Sequence, residues 1–346
     1  MKSKNVFVLI TILIILFFVW VLRDNEKKLS SEEASIWLNS RFEECRQKGK
    51  DQKLCLKNTA EESALKIELA DSFSVISENE SKPDIFSLCH EFLHYLGREK
   101  YARGGDISSA LANGNPVCFS GYYHGVLEEY MIEKKFYPGG ENFEKLSVEI
   151  KNICTGVSKQ TKDYNECLHG LGHALMFAFE NELPEALKYC DFLETQNDQG
   201  WCYSGAFMEN SNSSTNTDHP SKYVDEKDPN FPCSILDKKY SGTCYVFQGF
   251  WFAKLNKYDW KKTGEECGQI TKPYDLPCFN SIGQNLVGYT TDLSIVKEHC
   301  LDIPQADHRR ACIEGAAGAL VQRYNNGSEQ KKRFCELLDE GAEVCL

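Results

Sequence analysis

Residues 183–203 read LPEALKYCDFLETQNDQGWCY. Leu183, Ala186, Leu187 and Cys190 recur at helical spacing, and Pro184 stands at the start, where a helix tolerates proline. The polar run Thr195–Gln199 predicts a turn, after which Trp201-Cys202-Tyr203 opens a second helix. One helix therefore ends on a cysteine and the next begins on one. Two such cysteines can meet across the hairpin within the Cα separation of about 4.4–6.8 Å that a disulfide requires. The same pattern returns at Ser294–Leu301, a turn around Pro304, and Arg309–Arg323.

Outward from this hairpin, the cysteines mark a repeat. Cys154, Cys190, Cys233, Cys267, Cys300 and Cys335 are separated by 36, 43, 34, 33 and 35 residues, and Cys167, Cys202, Cys244, Cys278, Cys312 and Cys345 follow in step. A period near 34 is the length of a two-helix unit. The expected fold is all-α: disulfide-stapled helical hairpins stacked as a solenoid or superhelix. The expected bridges are sequential: 45–55, 89–118, 154–167, 190–202, 233–244, 267–278, 300–312 and 335–345. Closing a loop of a dozen residues contributes about 3 kcal/mol in the chain-entropy model. The Asn/Ser/Thr-rich stretch Asn210–Asp218 predicts a surface loop that absorbs the extra length of the 43-residue interval. In period and bridge placement the chain resembles the cysteine-stapled helical-repeat proteins of the Sel1/tetratricopeptide kind, over roughly Ala34 to Leu346. That resemblance implies an architecture and no activity.

Composition places the chain outside the cytoplasm. It has 346 residues, 16 of them cysteine, and 39 Lys and Arg against 51 Asp and Glu give a net charge of −12. A hydrophobic content of 42 % supplies a core and excludes a wholly disordered chain. Without a basic block, no nucleic-acid partner is expected. No C-x-x-C pair occurs, so zinc ribbons and thioredoxin-like motifs lack support, and an even number of scattered cysteines reads as disulfides of an exported protein. Val6–Leu22 is apolar apart from Thr11 and covers roughly 26 Å as a helix, near the hydrocarbon thickness of a membrane. Lys2 and Lys4 precede it, which orients the N-terminus to the cytoplasm, and no A-x-A-like cleavage site ends it. The expected order is a cytoplasmic tip (1–5), a transmembrane anchor (6–22), a linker (23–33) and an extracytoplasmic repeat domain (34–346), periplasmic or extracellular. Within that domain, histidine-bearing units occupy 84–180 and further repeats 181–346. The sequons at Asn79, Asn212 and Asn326 are compatible with export.

Aligning the second cysteines as position zero exposes a candidate site. Position three is small in most units: Gly121, Gly170, Gly205, Ser281 and Gly315, which lets helices approach closely. Positions two and six read His169/His173 after Cys167 and Ser120/His124 after Cys118. In the first full unit they read His90/His94, one residue out of register. Later units carry Ser204/Met208, Val246/Phe250, Asn280/Gln284 and Glu314/Gly318, so the repeat itself does not require histidine there. Side chains four apart share a helix face, and imidazoles so placed can bind one metal ion. Stripes from adjacent units can therefore converge, with Glu128 one turn beyond His124 as a sixth ligand. A divalent transition metal is the expected cofactor, zinc first, with iron or copper compatible with the same donors. His219, His299 and His308 read as solvated surface residues, and Met208 and Glu209 as an extension of the site wall, although methionine at that spacing is usually core.

Residues 90–94, His-Glu-Phe-Leu-His, carry the HExxH signature of zinc metallopeptidases, and the run is similar to the metzincin extension up to Lys100, where the third ligand would stand. An ammonium cannot coordinate zinc. The resemblance implies His90 and His94 as ligands and Glu91 as the general base. Three functions follow: a membrane-anchored metal protein with hydrolytic or oxidative chemistry, a zinc peptidase, or a metal-free solenoid that binds proteins or peptides. Val246, Phe250, Trp251 and Tyr289 would supply the last with its surface.

Overall fold

The computed structural model describes residues 28–79, 82–213, 220–228, 230–324 and 326–338. The expected anchor at 6–22 and its flanks up to residue 27 lie outside them, as do His219 and Cys345. Among the described residues every regular element is helical, and no helix is long and apolar enough to cross a membrane.

The N-terminal half comprises α1 (Ser31–Arg46), α2 (Gln52–Lys66), α3 (Leu69–Asn79), α4 (Pro83–Gly104), α5 (Ile107–Ala112), α6 (Gly121–Lys134) and α7 (Leu146–Glu149). The C-terminal half comprises α8 (Lys162–Ala178), α9 (Leu183–Cys190), α10 (Gln196–Ser213), α11 (Ser241–Leu255), α12 (Trp260–Cys267), α13 (Asp275–Tyr289), α14 (Leu293–Leu301), α15 (Ala306–Arg323) and α16 (Gly327–Glu336). The long helices α2, α4, α6, α8, α10, α11, α13 and α15 pack each against the next in that order, with the short helices along their flanks. A row in which each unit touches its sequence neighbours is the quasi-one-dimensional arrangement of helical repeats.

Seven of the expected bridges form, 45–55, 89–118, 154–167, 190–202, 233–244, 267–278 and 300–312, with Cα separations of 5.4–6.0 Å. The eighth, 335–345, involves a residue outside the described set. Cys190 and Cys267 end their short helices and Cys300 lies in the last turn of its own, whereas Cys154 and Cys233 sit in turns. Cys89 is the exception: it lies inside α4 and reaches Cys118 at the threshold of α6, so this bridge ties two long helices together. That different connection accounts for its offset register.

Five expectations are corrected. Helix α10 starts at Gln196 and not near Trp201, because Thr195 Oγ1 accepts the Asp198 N–H at 3.1 Å and caps the polar run as a first helical turn. The same helix continues to Ser213, so the start of the expected loop at Asn210 is buried helix: Asn210 Nδ2 donates to the Tyr223 carbonyl and Ser211 Oγ to that of Phe247. His308 is buried, not solvated; its ring stacks on Phe279 with centroids 3.9 Å apart and its Nε2 lies 3.0 Å from Asp275 Oδ2. Trp251 is core, while Tyr289 is 53 % exposed, so these aromatics do not form one docking face. Asn79 is also buried, donating to the Val75 carbonyl at 2.7 Å, which removes it as an accessible sequon.

Candidate metal centre

Helix α4 carries His90 and His94, α6 carries His124 and Glu128, and α8 carries His169 and His173. Glycines set how near these helices come. A Cβ on Gly125 would lie 1.9 Å from the His94 carbonyl oxygen, and one on Gly205 would lie 1.8 Å from that of His169. Only a hydrogen fits at such crossings. Because α6 sits between α4 and α8 in the row, its one histidine stands between two pairs.

All five imidazoles gather, but as two overlapping trios and not around one point. In one, ring nitrogens of His90, His94 and His124 lie within 4.8 Å of one another; in the other, those of His124, His169 and His173 do. The His94 Nε2 is 3.1 Å from His124 Nδ1, and the Nε2 atoms of His169 and His173 are 3.2 Å apart. The His124 ring stacks on His173 with centroids 4.1 Å apart. The second trio is buried, whereas the His94 side chain remains 18 % exposed, so solvent reaches the centre from the α4 side.

The outer nitrogen of each flanking ring is held. His90 Nδ1 donates to the Cys118 carbonyl at 2.8 Å, and His173 Nδ1 to Glu209 Oε2 at 2.8 Å. Ser204 gives its own proton to the Trp201 carbonyl at 2.6 Å, so its Oγ accepts from His169 Nδ1 at 2.7 Å. His94 Nδ1 lies 3.3 Å from Glu128 Oε2, which Arg98 also grips from its Nε at 3.2 Å. These acceptors assign a proton to Nδ1 in all four rings, so in the neutral form of each ring Nε2 carries the lone pair. Outer partners of this kind orient and strengthen metal-binding histidines. The Nε2 of the central His124 is buried without a hydrogen-bond partner.

Electrostatics keep most of the rings neutral. Burial, reinforced by His94, pushes His90 down to about 3, and burial with the neighbouring imidazoles holds His124 and His169 well below the ordinary histidine value. Burial also opposes the charge on His94, but Glu128 outweighs it and raises that ring. Burial would raise Glu128, yet His94 and then Arg98 draw it down to about 2. Glu128 is therefore an ionised anchor behind His94 that lies outside both trios.

Other sequence-marked residues are placed as follows. Glu91 accepts a hydrogen bond from the Tyr95 hydroxyl, and Lys100 points away, donating to the Ala64 carbonyl at 3.1 Å. Glu209 does extend the site wall, while Met208 packs against the core. Sequence reasoning did not single out Arg98, the Cys118 carbonyl or Glu166, which accepts from Ser120 Oγ at 2.6 Å and is raised to about 7 by burial. Ser204 was visible at position two of its unit but carried no assigned role. Comparison with protein-family models, curated proteins and solved structures finds no match.

Proposed function

We propose that this chain is an exported, membrane-tethered helical-repeat protein that binds transition metal through His90, His94, His124, His169 and His173. The carrying observation is the pair of Nε2 atoms 3.2 Å apart in His169 and His173, each lone pair aimed at the other because each Nδ1 proton is already committed. Two acceptors so placed repel unless a cation lies between them. With arms of about 2.0–2.1 Å, a tetrahedral site has edges of about 3.3 Å; the spacings of 3.2 and 3.1 Å match it. An all-nitrogen donor set suits zinc, copper, iron or nickel. Glu128 serves as the outer partner of His94, and the seven bridges support an oxidising compartment. The chemistry this donor set suits is hydrolysis or oxidation; a separate surface cleft of ≈ 940 Å³, lined by Phe73, Lys100 and Tyr122 among others, includes none of the imidazoles.

Elemental analysis of the purified full-length chain is the test. Bound transition metal is expected, and His94→Ala and His173→Ala should lower it. A chain that takes up none from a metal-supplemented buffer ends this reading. A zinc-peptidase reading is favoured by one specific feature: His124 lies beside His90 and His94, where it could be the third ligand that Lys100 cannot be. It requires Glu91→Gln to abolish cleavage while metal stays bound.

A further inference from the structure

Resting on the metal-centre reading, we propose that the centre holds two ions bridged by His124. One imidazole has two ring nitrogens and can ligate one ion through each. His124 belongs to both trios, and α6 sits in the row between α4, which brings His90 and His94, and α8, which brings His169 and His173. Its Nδ1 faces His94 at 3.1 Å, and its Nε2 is sealed from water with no protein partner. Burying a ring nitrogen unpaired is costly, and an ion on that side removes the cost.

The alternative of one ion with five ligands requires all five nitrogens to converge, and they do not: the mutual distance limit of 4.8 Å is met only trio by trio. Filling both sites releases the remaining N–H proton of His124 to solvent and leaves an imidazolate bridge. Two metal arms of about 2 Å on opposite nitrogens of one ring put the ions about 6 Å apart. They differ in access. The ion on the His90/His94 side has a partly exposed ligand set, whereas the ion on the His169/His173 side is enclosed.

Copper(II) is the probe, added to metal-stripped full-length chain. Two ions per chain are expected, with an electron paramagnetic resonance intensity at liquid-helium temperature far below two spins, because an imidazolate couples the ions antiferromagnetically. His90→Ala and His169→Ala should each bind one ion of full spin intensity, with circular dichroism confirming the helices. These single-trio variants keep the test open even if His124→Ala does not fold. One ion per wild-type chain, two ions of full intensity, or loss of both ions in His90→Ala would each overturn the bridge while leaving a metal centre. Failure to bind any copper would overturn the centre as well.

Discussion

Gly205→Ala tests how the fold builds the site. The new Cβ would lie 1.8 Å from the His169 carbonyl oxygen and 2.8 Å from its carbon, both backbone atoms that cannot swing aside. Ordinary contact begins near 3.4 Å, so α10 must retreat from α8 by about 1.5 Å. Ser204 adjoins position 205, and its 2.7 Å bond from His169 would stretch to roughly 4 Å, beyond hydrogen-bond range. The 2.8 Å bond from His173 to Glu209, one turn along α10, should lengthen similarly. Overpacking of this kind costs about 1–3 kcal/mol of stability. Losing an outer partner lowers metal affinity by about 10–100-fold. The assays are urea unfolding and competition for metal against a chromogenic chelator. The matched control is Gly200→Ala in the same helix, where no heavy atom lies within 4 Å. It should leave affinity unchanged and add up to about 1 kcal/mol from helix propensity. If Gly205→Ala unfolds and binds metal like the wild type, the close helix crossing does not position these acceptors.

Three further outcomes are expected. Glu166 is raised to about 7 by burial, so the folded state binds a proton that the unfolded state releases near 4.5; stability falls as pH rises between those values, and Glu166→Gln should recover up to about 3 kcal/mol at pH 8 in metal-stripped protein but little at pH 4.5, read by urea midpoints. Replacing Cys190 and Cys202 together by alanine opens a loop of 12-residue separation and should cost about 3 kcal/mol, measured by thermal unfolding; an unchanged midpoint would remove the bridge as a source of stability. Glu128→Gln removes the charge that holds Arg98 and His94 and should destabilise by about 3 kcal/mol, whereas Glu128→Gln with Arg98→Met should recover part of that loss in a double-mutant cycle.

The fold was legible because cysteine spacing reports a repeat directly: every described bridge except 89–118 closes a short hairpin, and that ties a period in sequence to a period in space. Thr195–Gln199 shows where local reading failed, since a polar run and a capped first turn share a composition, and only the bond from Asp198 to Thr195 Oγ1 separates them. His308 failed for another reason. Its surroundings in sequence are Asp307 and Arg309, but its burial comes from α13, 33 residues away in chain, through Asp275 and Phe279. The histidine stripe was readable because equivalent repeat positions land on equivalent faces. Its division into two trios was not, because that depends on α6 lying between α4 and α8 and contributing one ring where each neighbour contributes two. The outer partners were the least visible, as a backbone carbonyl leaves no mark in a sequence.

The carbonyl of Cys118 shows how the site is preorganised. Cys118, Phe119 and Ser120 have φ of 55°, 55° and 60°, three consecutive left-handed residues with side chains. Each costs roughly 1–2 kcal/mol relative to ordinary backbone, and a sequence free to relax would place glycine here or straighten the turn. Three contacts oppose relaxation: the bridge to Cys89 one residue before His90, the His90 hydrogen bond to the Cys118 carbonyl, and the Ser120 hydroxyl on Glu166. Straightening the turn would swing that carbonyl away from Nδ1 and free the His90 ring to rotate. The same turn starts α6, so it also sets the rotation that carries His124 between its neighbours. The strained segment thus fixes the orientation of one ligand and the position of the shared one, which is the work expected of strain retained beside a functional centre.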